Sequence, residues 1–148
     1  MYFPPYNQIL KNVRFEKGKS NDEELVVINK QLFDLLIQTA LTSCEFNEAE
    51  YLKMNPDVAD GPIRDGQITA RQHFVGYGYF ENRRGILPEV DEEWYRKSYK
   101  DVAQEIKNGG IPSAKEHFET TGAGEGRSPS RKHSQIAEMW KKALHPNN

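Results

Sequence analysis

Apolar positions in this chain fall into short blocks with helical spacing, each followed by a polar or glycine-bearing break. From Leu25 onward, Leu25, Ile28, Leu32, Leu36 and Ala40 form one stripe, and Phe33, Ile37 and Leu41 run beside it, so this segment is expected to bury a broad face. Its start has two readings. Val13 and Phe15 alternate with Asn12, Arg14 and Glu16 as in a short strand, which could pair with Leu25 to Ile28 across the turn-like Lys17-Gly18-Lys19-Ser20-Asn21. Alternatively a helix starts near Ser20 to Asp22 with Asp22, Glu23 and Glu24 in its first turn, where the helix dipole favours acids. The helical reading is adopted, making residues 1–43 an N-terminal arm and helix.

Beyond residue 43 the pattern repeats itself. Tyr51, Asp57-Val58-Ala59, Gly66, Ala70, His73-Phe74, Gly78, Glu81 and Arg83 recur, without a gap, as Tyr95, Asp101-Val102-Ala103, Gly110, Ala114, His117-Phe118, Gly122, Glu125 and Arg127. Each copy reads as three short helices. Asn47 and Asp91 are N-cap residues of the first, and Asn55-Pro56-Asp57 opens the second with a cap, a proline at the first helical position and an acid in the first turn. Thr69 to Gln72 and Ser113 to Glu116 each fit a capping box for the third. Gly78 and Gly122 then suit a left-handed turn, as do Gly66 and Gly110 after the second helix. Past Ser128-Pro129-Ser130, a last helix to Leu144 carries Ile136, Trp140, Ala143 and Leu144 on one side. The expectation is an all-α fold: two tandem three-helix repeats (44–88 and 89–130) between an N-terminal helix and a C-terminal helix (131–148), in one compact domain.

The segment from Tyr51-Leu52 through Asn55-Pro56-Asp57-Val58-Ala59, with Ser113-Ala114 to His117-Phe118 and Gly122 to Arg127-Ser128-Pro129, resembles a bacterial tandem repeat of the form YLxxNPDVA, SAxxHF, GxxEGRxP. The resemblance covers residues 46 to 130. It implies a module that accompanies surface-glycan glycosyltransferases and large secreted proteins outside their catalytic parts, and it transfers no catalytic or ligand residues. Asn82 stands where the pattern has Gly, and Lys100 where it has Pro, departures that bear on turn geometry.

Composition narrows function mainly by exclusion. The formal charge is −2 over 148 residues, so no global field draws the chain to nucleic acid. No run approaches the roughly 20 apolar residues of a membrane helix, and Met1-Tyr2-Phe3-Pro4-Pro5 lacks the features of a secretory signal, so membrane insertion is not expected and the cytoplasm is the expected compartment. The single Cys44 reads as a structural thiol.

The tempting chemistry has plainer alternatives. His73 and His117 each sit beside a Phe on a short helix and read as packing or capping residues; His133 and His145 read as isolated and solvated. Glu81 and Glu125 each precede an Arg by two positions, which suits helix-end docking better than paired-carboxylate catalysis. No metal, cofactor or enzymatic activity is expected. Function is expected to be that of an interaction or adaptor module whose partner is another protein or a second copy. Its recognition points would be Tyr77, Tyr79, Phe80, Arg83, Trp94, Tyr95, Tyr99 and Arg127, with Tyr2, Phe3 and Tyr6 as a clip. The alternative is a carbohydrate-binding module that uses the same aromatic cluster.

Overall fold

The computed structural model describes residues 3–19, 24–85 and 88–144. The chain is mostly helical but not all-α, because it contains a two-stranded antiparallel sheet. After a short helix α1 (Tyr6–Leu10), β1 (Val13–Lys17) pairs with β2 (Glu24–Ile28) in a register that runs from Val13 opposite Ile28 to Lys17 opposite Glu24. The adopted helical reading of this stretch is corrected. Val26, Val27 and Ile28 are a run of β-branched residues, whose restricted rotamers favour a pleated strand over a helix. Helix α2 (Lys30–Thr42) begins only after the sheet, with the Asn29 side chain accepting from Leu32 N at 2.8 Å. The proposed start at Ser20 to Asp22 lies outside the described residues.

Two compact units divide the chain, Met1–Gly85 and Ile86–Asn148. In the first, α3 (Glu48–Met54), α4 (Pro56–Val58) and α5 (Ala70–His73) follow α2. Leu41, Tyr51, Val58, Ala70 and Phe74 are buried, and Phe46 stacks on Phe74 with ring centroids 5.4 Å apart. In the second, α6 (Glu92–Ser98), α7 (Lys100–Lys107) and α8 (Ala114–His117) gather Tyr95, Val102, Ala114 and Phe118 into a core flanked by Val90, Trp94, Tyr99 and Ile106.

The local caps form largely as expected. Asn47 accepts from Glu50 N and Asp91 from Trp94 N. Thr69 and Gln72 make the reciprocal capping box of α5. In α8 Ser113 accepts from Glu116 N, while the next free amides, those of Ala114 and Lys115, are taken by the Glu92 carboxylate from α6. Asn55 does not cap α4. It is buried, donating to Tyr51 O at 2.8 Å.

Helices α5 and α8 each widen into a π-type turn, Phe74–Gly78 and Phe118–Gly122, closed by Tyr79 N to Phe74 O and Ala123 N to Phe118 O, both at 2.9 Å. Gly78 and Gly122 are therefore not the left-handed residues they were expected to be. That conformation falls four residues later, at Asn82 (φ 59°) and Gly126 (φ 72°). Gly66 is left-handed as expected, but in the second unit Gly109 takes that role in place of Gly110. A short 3-10 turn (Arg131–His133) leads into α9 (Ser134–Leu144), which has no buried residue. Its Ile136, Trp140 and Leu144 line a groove of about 270 Å³ opposite Phe118, Ala123 and Pro129. Among the described residues no helix is long and apolar enough to cross a membrane.

Candidate functional site

The duplicated polar residues converge on one arrangement, built separately in each unit. The hydroxyl of fully buried Tyr51 on α3 and His73 Nδ1 on α5 share a hydrogen bond of 2.9 Å; Tyr95 on α6 and His117 on α8 do the same at 3.0 Å. Burial pushes both phenols above their ordinary value, Tyr95 to about 12, because an ionised phenolate would lose its hydration. The hydroxyls lie against Gly78 and Gly122, where a Cβ would fall 2.3 Å from Tyr51 Oη and 2.2 Å from Tyr95 Oη. Glycine is required there by a close approach and not by a turn. His73 and His117 are packing residues bonded to a tyrosine.

The turn that follows is clasped to the start of the second helix of its unit, α4 or α7. Arg83 donates to Asp57 through both terminal nitrogens, at 3.0 and 2.8 Å, and through Nε to Glu81 at 2.7 Å. Arg127 holds Asp101 at 3.0 and 2.6 Å and Glu125 at 2.6 Å. This fork geometry suits a carboxylate held from two sides. Hydrogen bonding from Arg127 pulls Asp101 down to about 2, and Arg83 lowers Asp57 in the same way. The two clasps differ at the residue before the second helix, Asn55 against Tyr99. Arg83 also donates to Asn55 Oδ1 at 3.2 Å, whereas the Arg127 guanidinium lies 5.0 Å from the centre of the Tyr99 ring, whose hydroxyl accepts from Ser128 N. The docking role expected of Glu81, Glu125 and the two arginines is realised through Asp57 and Asp101, a link the sequence reading missed.

Several expected recognition residues are thereby occupied by the fold. Tyr95 is a core residue, inaccessible to any partner. Trp94 and Tyr99 are half-buried against that core, in an edge-to-face pair. Arg83 and Arg127 are engaged in their clasps. What stays accessible is the aromatic turn of the first unit: Tyr77, Tyr79 and Phe80 are 60%, 45% and 40% exposed. Their counterparts 44 positions on are Thr121, Ala123 and Gly124. Tyr79 and Phe80 sit edge-to-face with centroids 5.7 Å apart, and Tyr77 lies beside His73.

Of the arm, Phe3 and Tyr6 are exposed, and Tyr2 lies outside the described residues, as does His145. His133 is not isolated; it is half-buried and bonded to Ser130 Oγ at 2.8 Å. Arg71, which the sequence did not single out, donates to Cys44 O at 3.0 Å and lies over the Phe46 ring, closing the C-terminal end of α2. Cys44 is half-buried. Among the described residues no group of His, Cys, Asp and Glu is arranged to hold a metal ion. Comparison with known protein families, curated proteins and solved structures finds no match in any of the three.

Proposed function

We propose that the two units are copies of one helical repeat and that the chain is a non-enzymatic interaction module, presenting the aromatic turn of its first copy to a protein partner. The observation that carries this reading is the exposure of Tyr77, Tyr79 and Phe80 at positions where the second copy has small or polar residues. Aromatic side chains supply large contact area and are enriched at protein interfaces. The turn is held in place by Arg83, so the three rings are presented on an anchored loop. The resemblance to repeats found beside surface-glycan glycosyltransferases suggests a bacterial polysaccharide or secretion setting.

A carbohydrate ligand is the second reading, favoured by the half-exposed Glu81 carboxylate next to those rings, since sugars are bound by aromatic faces flanked by polar groups. One variant tests both readings. Tyr77→Thr, Tyr79→Ala and Phe80→Gly together give the first copy the side chains of the second. Capture from native cells is expected to retain a stoichiometric protein on the wild type and lose it on this variant, with the circular dichroism unchanged. Equal retention refutes the assignment of the turn. Backbone amide shifts around residues 76–82 of the wild type on titration with bacterial glycans, absent from the variant and found with no protein partner captured, support the sugar reading. The arm is tested separately: deleting residues 1–8 should leave folding intact and weaken association if Phe3 and Tyr6 act as a clip.

A further inference from the structure

The sheet of β1 and β2 has two strands and, among the described residues, no third strand beside it. A two-stranded sheet is marginal by itself, and a strand edge with free backbone groups is a template for pairing with another chain. One face of this hairpin is apolar and open: Phe15 and Val26, directly opposite one another, are 55% and 58% exposed. β1 contains neither proline nor a bulge to block its edge.

The sequence of β1, Val13-Arg14-Phe15-Glu16-Lys17, is complementary to itself in one arrangement. Antiparallel pairing with a second copy about a two-fold axis at Phe15 sets Arg14 opposite Glu16 of the other copy, twice. It also sets Phe15 beside Phe15, and Val13 beside the aliphatic stem of Lys17. In-register parallel pairing would instead set Arg beside Arg and Glu beside Glu. Antiparallel pairing through β2, centred on Val26, would set Glu24 against Ile28 with no counter-charge. From this register we infer that β1 is a self-association edge, whose occupant is β1 of a second copy of this chain. The product is a four-stranded antiparallel sheet in the order β2-β1-β1-β2 with a continuous apolar face of Val26, Phe15, Phe15 and Val26. This inference uses a surface distinct from the aromatic turn and stands independently of the proposed function.

An edge of five residues is small beside a standard interface, so association is weak and concentration-dependent. Sedimentation equilibrium of the full chain from about 10 to 500 µM is expected to show a mass rising from 17.1 kDa toward about twice that value. Arg14→Glu or Glu16→Arg, at exposed side chains, places like charges opposite one another at both symmetric contacts and should weaken association about tenfold or more. The double variant restores opposite charges and the association. In a Cys44→Ser background, Phe15→Cys is expected to form an intermolecular disulfide. Val26→Cys is not, because its mate lies three strand spacings, about 14 Å, away. A mass that stays at 17.1 kDa throughout overturns the inference. So does association indifferent to the charge reversals, or cross-linking through Val26 and not Phe15.

Discussion

Gly78→Ala separates two roles a glycine can have. If Gly78 served a left-handed turn, alanine would be costly whatever surrounds it. The structure instead gives it no positive φ and places its missing Cβ 2.3 Å from Tyr51 Oη, with the next atoms, Phe74 Cδ2 and Tyr51 Cζ, at an ordinary 3.4 Å. Alanine must therefore push a fully buried tyrosine aside, an overpacking cost of about 1–3 kcal/mol. It also breaks the bond to His73, for about 1 kcal/mol more. Against this, alanine gains about 0.5–1 kcal/mol over glycine in a helical backbone. The net expectation is a loss of about 2 kcal/mol, read from urea titrations by circular dichroism and from amide exchange at Tyr51 and Phe74.

The decisive comparison is in a Tyr51→Phe background. Tyr51→Phe alone costs about 1 kcal/mol for the lost hydrogen bond. Once the hydroxyl is gone, nothing remains within 3.4 Å of the new methyl, so Gly78→Ala should become neutral or stabilising by up to about 1 kcal/mol. The same substitution thus changes sign with one oxygen atom. Equal destabilisation by Gly78→Ala in both backgrounds would falsify the close-contact account and return the glycine to a backbone role.

Two further predictions concern the clasp and its turn. Asp101 is held near 2 by Arg127, below its ordinary 3.8, so its contribution to stability is present above pH 4 and is lost as pH falls toward 2; a carboxyl titration by NMR should show that low midpoint and its return toward 3.8 in Arg127→Ala. Gly126→Ala should destabilise by about 1–2 kcal/mol in thermal melts because φ is 72° and a Cβ would meet Lys141 at 3.1 Å, whereas Asn82→Gly, at φ 59°, should be neutral or mildly stabilising; a melt unchanged by Gly126→Ala would remove the strain argument.

Legibility in the sequence followed contact range. The caps at Asn47, Thr69, Asp91 and Ser113 were readable because each is a bond to an amide three residues on. The pairing of Tyr51 with Gly78, and of Arg83 with Asp57, spans more than 25 positions, so only the identities were visible and not their partners. Gly78 and Gly122 were misassigned for that reason: a helix-end glycine is more often demanded by φ than by a neighbour. The hairpin was visible as a competing pattern. It lost to a stripe that counted Leu25 and Ile28 and gave no weight to the β-branched Val26 and Val27 between them. Among the candidate recognition residues, aromatic identity could not separate Tyr95, buried and bonded to His117, from Tyr77, open to solvent.

The recurrence of residues at a spacing of 44 sorts them. Those present in both units, the Tyr, His, Gly, Asp and Arg set, are each engaged in a bond or contact that holds a unit together, so folding accounts for their recurrence. The informative positions are those where the two units carry different residues 44 positions apart. At the π-type turn the second unit has Ala123 and Gly124, which help to shape the groove beneath α9 and leave room for Ile136 and Trp140. In the first unit Tyr79 stands edge-to-face on buried Phe74, with centroids 6.0 Å apart, and Phe80 on Tyr79, yet both rings remain exposed to solvent. Their packed edges anchor the rings, and the exposed aromatic area that remains is the surface the proposed contact would use.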